Sequence, residues 1–195
     1  MNRILSSVAL AFICLFPVYG QMAWNAKYQN YFNQYKDLAI EQMLKYRIPA
    51  SITLAQGVFE SGAGYSDLAR NGNNHFGIKC HGWQGRKTYH DDDARNECFR
   101  AYDSPGQSYE DHSKFLVQSQ RYRRLFSLKI TDYKGWAHGL KACGYATNPA
   151  YAKKLIDIIE LYKLYKYDSA HGYDKFMAKH ASEDSPALNG GTLHP

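Results

Sequence analysis

The sequence predicts an α+β domain, mostly helical, in which a small β-hairpin lobe leans over a helical body. Three observations carry that expectation. Residues 25–60 hold two runs with apolar side chains at helical spacing. Residues 75–102 break that period into short strand-like pieces separated by Gly, Asp and Asn. Helical spacing then resumes after Ser104-Pro105-Gly106-Gln107.

The elements follow in order. Residues 1–20 read as a secretory signal: Arg3 gives the positive start, Val8 to Val18 a short apolar core, and Val18-Tyr19-Gly20 a site for cleavage before Gln21. The apolar run is short for a bilayer span, with an uncleaved anchor as the alternative. Cys14 lacks the small residues that would mark a lipid anchor. Residues 25–46 form the first helix, with Tyr31, Tyr35, Leu38, Ala39, Gln42 and Met43 along one side. Pro49 opens the second helix, at a position where its missing N–H costs nothing, and that helix ends at Glu60. A short helical turn is expected around Ser66 to Ala69, and Asn71-Gly72-Asn73-Asn74 is a turn signal.

Residues 75–80, 86–90 and 97–102 read as three short strands, with turns at Gly82, Gly85 and Asp92 to Asn96. So slight a sheet must rest on the helices. Ser104-Pro105-Gly106-Gln107 is a capping box opening a helix that turns Tyr109, His112, Phe115 and Leu116 inward. Shorter helical pieces follow at Tyr122 to Phe126 and at Asp132 to Ala142. Asn148-Pro149 opens the last helix, with Leu155, Ile156, Ile159 and Tyr162 at helical spacing. From Asp168 the chain turns polar and loses period, so residues 168–195 are expected to be a disordered tail. The folded domain is thus expected over 21–167.

Composition narrows the function. The net charge is +6, and the basic groups are spread over Arg86-Lys87, Arg121 to Arg124 and Lys153-Lys154. Export and the lack of a nucleic-acid motif argue against nucleic acid, leaving an anionic extracellular polymer as the better partner. The chain is expected to be a monomer, with no stable membrane insertion once the signal is removed. The 17 tyrosines suit sugar stacking, although many must serve as amphipathic core residues. Of the cysteines left after processing, Cys80 and Cys98 bracket the hairpin and are the expected disulfide, with Cys143 left over. No Cys-x-x-Cys occurs and Cys80-His81 lacks a second ligand pair, so neither metal nor other cofactor is expected.

The chemistry centres on Leu54-Ala55-Gln56-Gly57-Val58-Phe59-Glu60-Ser61-Gly62-Ala63-Gly64. Glu60 stands where an apolar helix breaks into a small-residue turn. Apolar neighbours and the negative end of the helix dipole both disfavour its ionisation. A carboxyl kept protonated near neutral pH is what glycosidic cleavage needs. A second carboxylate is sought in His90-Asp91-Asp92-Asp93 at the hairpin tip, where strand alternation would separate Asp92 from Asp91 and Asp93.

Four segments, in this order, give the chain a resemblance: 55–62, Asn73-Asn74-His75-Phe76-Gly77-Ile78-Lys79, Phe99-Arg100-Ala101-Tyr102-Asp103-Ser104, and Gly144-Tyr145-Ala146-Thr147-Asn148-Pro149-Ala150-Tyr151-Ala152. Over about residues 25–165 the chain resembles the endo-β-N-acetylglucosaminidase family of peptidoglycan hydrolases. The resemblance implies a lysozyme-like fold and cleavage of the β-1,4 bond after N-acetylglucosamine, in the periplasm or the cell wall. It implies Glu60 as general acid and Tyr145 as the cleft tyrosine. Asn74, Phe76 and Gly77 are expected to shape a substrate-binding floor, with Trp83 as a stacking residue and Tyr151 as a further substrate contact. The chain has Asn148 where the family commonly has Asp, and a shorter hairpin. Asp91 or Asp92 would be the base of an inverting route, whereas a retaining route would use the substrate's acetamido group with Tyr145 and an Asp in support. A muramidase or lytic transglycosylase of the same fold, or a non-catalytic wall-binding module, are the alternatives.

Overall fold

The computed structural model describes residues 22–92 and 95–169. The expected signal, Asp93 and the stretch from residue 170 onward lie outside them. The order is α1 (Ala26–Tyr46), α2 (Ala50–Glu60), α3 (Asp67–Gly72), β1 (Lys87–His90), β2 (Glu97–Arg100), α4 (Pro105–Gln118), a 3₁₀-helix (Gln120–Ser127), α5 (Tyr133–Ala142), α6 (Tyr151–Leu161) and a closing 3₁₀-turn (Leu164–Tyr167). This is the expected mostly helical, lysozyme-like body with a two-stranded lobe. No helix among the described residues is long and apolar enough to cross a membrane.

Helix α2 is the axle of the body. Every residue from Ala50 to Val58 is buried, as suits a helix with apolar or small side chains all round. It packs against α1, α5, α6 and the closing 3₁₀-turn. Small residues permit that closeness: a Cβ at Gly57 would meet the Tyr31 hydroxyl at 2.6 Å. Around α2 lie Phe32, Ile48, Leu116, Trp136, Leu140 and Leu155, all fully buried. Tyr31, Tyr109, Tyr122 and Tyr151 are buried with them, so much of the tyrosine excess serves the core.

A buried helix start needs partners for its free N–H groups. Pro49 is not the first helical residue, as expected from sequence, but the cap, and it offers no side-chain hydrogen bond. Asp168 fills that role. Its Oδ1 accepts from the Ser51 N–H at 2.8 Å and its Oδ2 from the Ser51 hydroxyl at 2.5 Å. Asp168 is 3% exposed, so the residue that composition assigns to the tail belongs to the body. Burial lifts its pKa to about 7, against the Ser51 and Ala50 donors, which lower it.

The lobe differs from expectation in one element. Strands β1 and β2 pair antiparallel, from Lys87 opposite Arg100 to His90 opposite Glu97. Residues 75–80 form no strand and pair with the sheet at an isolated bridge, Lys79 opposite Phe99, closed by Cys80 N–H to Cys98 O (2.9 Å) and Arg100 N–H to Ile78 O (3.0 Å). Two features prevent a ladder there. Gly77 has φ +61°, and the Asn74 side chain takes the backbone groups a ladder would use. Its Nδ2 donates to Ile78 O (3.0 Å) and Arg100 O (2.8 Å), and its Oδ1 accepts from Ile78 N–H (3.0 Å). The Cys80–Cys98 disulfide joins this segment to β2, and the thiol of Cys143 is free. At the start of α4 the Ser104 hydroxyl accepts from Gln107 N–H, while Gln107 Oε1 accepts from Asp103 N–H rather than from the cap residue itself.

Candidate active site

Glu60 is the last residue of α2, half-buried, and three successive left-handed residues carry the chain away from it: Gly62 (φ +56°), Ala63 (φ +61°) and Gly64 (φ +82°). Ser61 locks that turn. Its hydroxyl donates to Gly57 O at 2.5 Å and accepts from Gly64 N–H at 2.8 Å. The result is a carboxyl at the negative end of a buried helix, with the next helix starting only seven residues on.

Burial lifts the Glu60 pKa to about 6, while a hydrogen bond from Tyr151 holds it down. The Tyr151 hydroxyl donates to Glu60 Oε1 at 2.9 Å and accepts from Gln56 Nε2 at 3.0 Å. Gln56 lies one helical turn before Glu60, so α2 presents both ends of this relay on one face. The Tyr145 ring stacks on Tyr151, with centroids 5.7 Å apart and 22° between planes. The Tyr145 phenol is pushed well up, first by burial, then by the Glu60 charge and Tyr122. It therefore remains a neutral hydroxyl beside the carboxyl.

Glu60 and Tyr145 open onto one cleft of about 450 Å³. Phe76, Gly77 and Ile78 line it from the knotted segment, and Lys79, His81, His90, Asp92 and Phe99 from the lobe. Ser66 and Asp67 enter from the start of α3, and Arg121, Tyr122 and Gly144 from the far side of the body. Of the residues expected from sequence, Glu60, Tyr145, Phe76, Gly77 and Asp92 thus share one cavity.

Four others do not line it. Asp91 is exposed and its Oδ1 accepts from Asn96 N–H at 2.7 Å, which closes the hairpin turn. Asn74 is 1% exposed and its amide is occupied by backbone, so it shapes the floor without reaching a ligand. Tyr151 is buried behind Glu60. Trp83 stands outside this cleft, engaged by its neighbours. Its Nε1 donates to Arg86 O at 2.9 Å, Gly85 lies so close that a Cβ there would meet the ring at 2.6 Å, and the Arg100 guanidinium sits 4.9 Å from its centroid. It lines a separate hollow with Tyr102 and Lys114.

Sequence reasoning passed over Asp67 and Arg121. Asp67 follows the cap residue Ser66, whose hydroxyl accepts from Ala69 N–H. It reads as ordinary first-turn chemistry, and only the tight turn after Glu60 brings it to the cleft. Asp92 lies 3.6 Å from Lys79 Nζ, which also pairs with Glu97 at 3.0 Å. Among the described residues no group of three or more His, Cys, Asp or Glu is arranged to hold a metal ion.

Comparison with known proteins bears on this arrangement. Residues 36–164 match the family model of mannosyl-glycoprotein endo-beta-N-acetylglucosaminidase. The chain is 33% identical over 156 residues to the exo-glucosaminidase LytG of Bacillus subtilis, covering 74% of this chain and 55% of that protein. It is 29% identical over 142 residues to the peptidoglycan hydrolase FlgJ of Vibrio parahaemolyticus, covering 67% and 46%. The chain therefore spans about half the length of these curated relatives. The catalytic domain of the autolysin Auto from Listeria monocytogenes superposes with a TM-score of 0.61 at 27% identity, over 76% of this chain and 91% of that domain.

Proposed function

The chain belongs to the mannosyl-glycoprotein endo-β-N-acetylglucosaminidase family, and from that premise we propose that it is an exported peptidoglycan hydrolase that cleaves the β-1,4 bond after N-acetylglucosamine, with Glu60 as the general acid. The observation that carries this reading is the Glu60 carboxyl, lifted to about 6 by burial and opening onto the cleft beside Tyr145. At mildly acidic pH it is protonated and can give its proton to the departing glycosidic oxygen.

Asp92 is the second carboxylate in this proposal. Acting as base, it would draw a proton from a water that attacks the anomeric carbon on the face opposite the leaving group, which is the inverting geometry. Asp91, tied into the hairpin turn, supports the lobe instead. The neutral Tyr145 hydroxyl donates a hydrogen bond to the sugar as charge develops. The relatives named as peptidoglycan hydrolase and exo-glucosaminidase support the polymer and the sugar.

The test is product analysis on purified peptidoglycan with wild type and Glu60→Gln. New reducing ends of N-acetylglucosamine are expected, with a loss of about 10²-fold or more in kcat for the variant. Muramic or anhydromuramic ends would reassign the bond. Undiminished lysis by Glu60→Gln would remove Glu60 from the acid role.

A further inference from the structure

The cleft holds two strongly basic side chains that the glycosidic step does not use, Lys79 and Arg121. Lys79 on the lobe is offset by Asp92 and Glu97. Arg121, across the cleft, has no carboxylate within ion-pair reach among the described residues. Its place is set by packing. The guanidinium carbon lies 5.8 Å from the Tyr122 ring centroid. A Cβ at Gly144 would meet Nη2 at 4.0 Å. The guanidinium thus lies near both the Tyr122 ring and Gly144, one residue before Tyr145. It is exposed at the rim of the cleft and interacts with the Tyr122 hydroxyl, leaving the rest of its five donors for a ligand.

Arg is suited to such a position, because its fixed donors match a carboxylate and it is weakly hydrated. The peptidoglycan backbone consists of N-acetylated sugars that are themselves neutral. Its carboxylates hang from the muramyl side arm, in the stem peptide or, once that peptide is removed, on the free lactyl group. Resting on the proposed function above, we propose that Arg121 is a specificity-determining residue that binds a carboxylate of the muramyl side arm. It thereby selects peptidoglycan over an uncharged polymer of N-acetylglucosamine. The cleft then reads the strand from two sides: Glu60 and Tyr145 act at the bond, and Arg121 fixes the register of the alternating sugar.

The experiment compares wild type, Arg121→Gln and Arg121→Lys on three substrates: intact peptidoglycan, amidase-stripped strands bearing free lactyl groups, and chitin oligosaccharides. The expected result is that Arg121→Gln lowers the ratio of kcat/KM for peptidoglycan over chitin oligosaccharides about tenfold or more, mainly through KM. Arg121→Lys restores part of it, since the charge is kept and the fork is lost. A preference that persists on stripped strands assigns the lactyl carboxylate; one confined to intact wall assigns the stem. Calorimetric binding of soluble muropeptides to Glu60→Gln protein, with and without Arg121→Gln, reads the same contact without turnover. An unchanged ratio, or equal losses on all three substrates, would overturn the proposal. Wild-type protein that binds muropeptides in an Arg121-dependent way yet cleaves nothing would instead count against the hydrolase reading.

Discussion

Replacing Tyr151 with Phe separates its two candidate roles. The sequence resemblance implies a substrate contact, whereas the structure has its hydroxyl bridging Gln56 and Glu60. A hydrogen bond to an ionised carboxylate contributes about 1.5–3 kcal/mol and one to a neutral partner about 0.5–1.5 kcal/mol. Losing this bond therefore disfavours the Glu60 anion by about 1 kcal/mol more than the acid. At about 1.4 kcal/mol per pKa unit, Glu60 should rise by about one unit, from about 6 to about 7. The sign agrees with the causes: burial raises this pKa and Tyr151 lowers it, so burial is left unopposed. A general acid works while protonated, so the basic limb of the kcat/KM–pH profile on peptidoglycan should move up by about one unit. Stability has a matching signature. A carboxyl with a raised folded pKa contributes stability that is present below the ordinary value of 4.5 and lost as pH rises through the folded pKa. That loss should extend to about pH 7 in the variant. The variant should also unfold more easily by about 1–3 kcal/mol, because Gln56 Nε2 loses its acceptor while Gln56 Oε1 already lacks a partner. A basic limb that stays in place while KM rises would refute the relay and return Tyr151 to the substrate.

Three further outcomes follow from the same geometry. Asp168→Ala should lower stability to chemical denaturation by about 1–3 kcal/mol, by uncapping a buried helix start; a chain cut after Tyr167 should show the same loss and one cut after Ser169 should not. Reducing the Cys80–Cys98 bridge, or Cys98→Ser, should weaken the lobe by about 3 kcal/mol for a loop of this length and reduce lysis while far-UV helicity persists. Asp92→Asn should lower kcat by about 10²-fold or more, whereas Asp91→Asn should change it only a few-fold, a contrast read by initial rates on the same wall preparation.

What the sequence could reveal depended on whether the signal was local. Helices α1, α2 and α4 announce themselves through apolar spacing and cap residues, because both act within one or two turns. The setting of Glu60, though not its role, is legible for the same reason: burial, helix end and glycine turn all lie within a few residues of it. Asp168 was not, because the group it caps is 117 residues away and nothing beside it in sequence points there. The third strand was misread because His75 to Cys80 has strand composition, while the Asn74 amide competes for its backbone bonds from outside the pattern. Trp83 reads as a platform because it is an indole in a glycine-rich loop, and its place outside the Glu60 cleft, against Gly85 and Arg100, is set by the fold.

The Asn74 knot also explains how so slight a lobe can hold a cleft open. Two four-residue strands would not persist alone, yet His90, Asp92 and Phe99 line the same cleft as Glu60. The ties are concentrated where the lobe meets the body. Asn74 joins the floor segment to Arg100, the disulfide joins that segment to β2, and Arg100 reaches Asp111 on α4 with two hydrogen bonds of 2.8 and 3.0 Å. Tyr102 adds a third bond to Asp111, at 2.6 Å. Arg100 and Asp111 side chains are each 16% exposed, so this pair is screened less than a surface bridge. The motif residues of this region therefore divide by physical role. The polar Asn74 is consumed by backbone, whereas Phe76, Gly77, Ile78 and Lys79 line the cleft. A motif thus marks where the chain must turn and bind to itself as well as where it meets a ligand, and counting every polar member, Asn74 included, as a contact overstates the site.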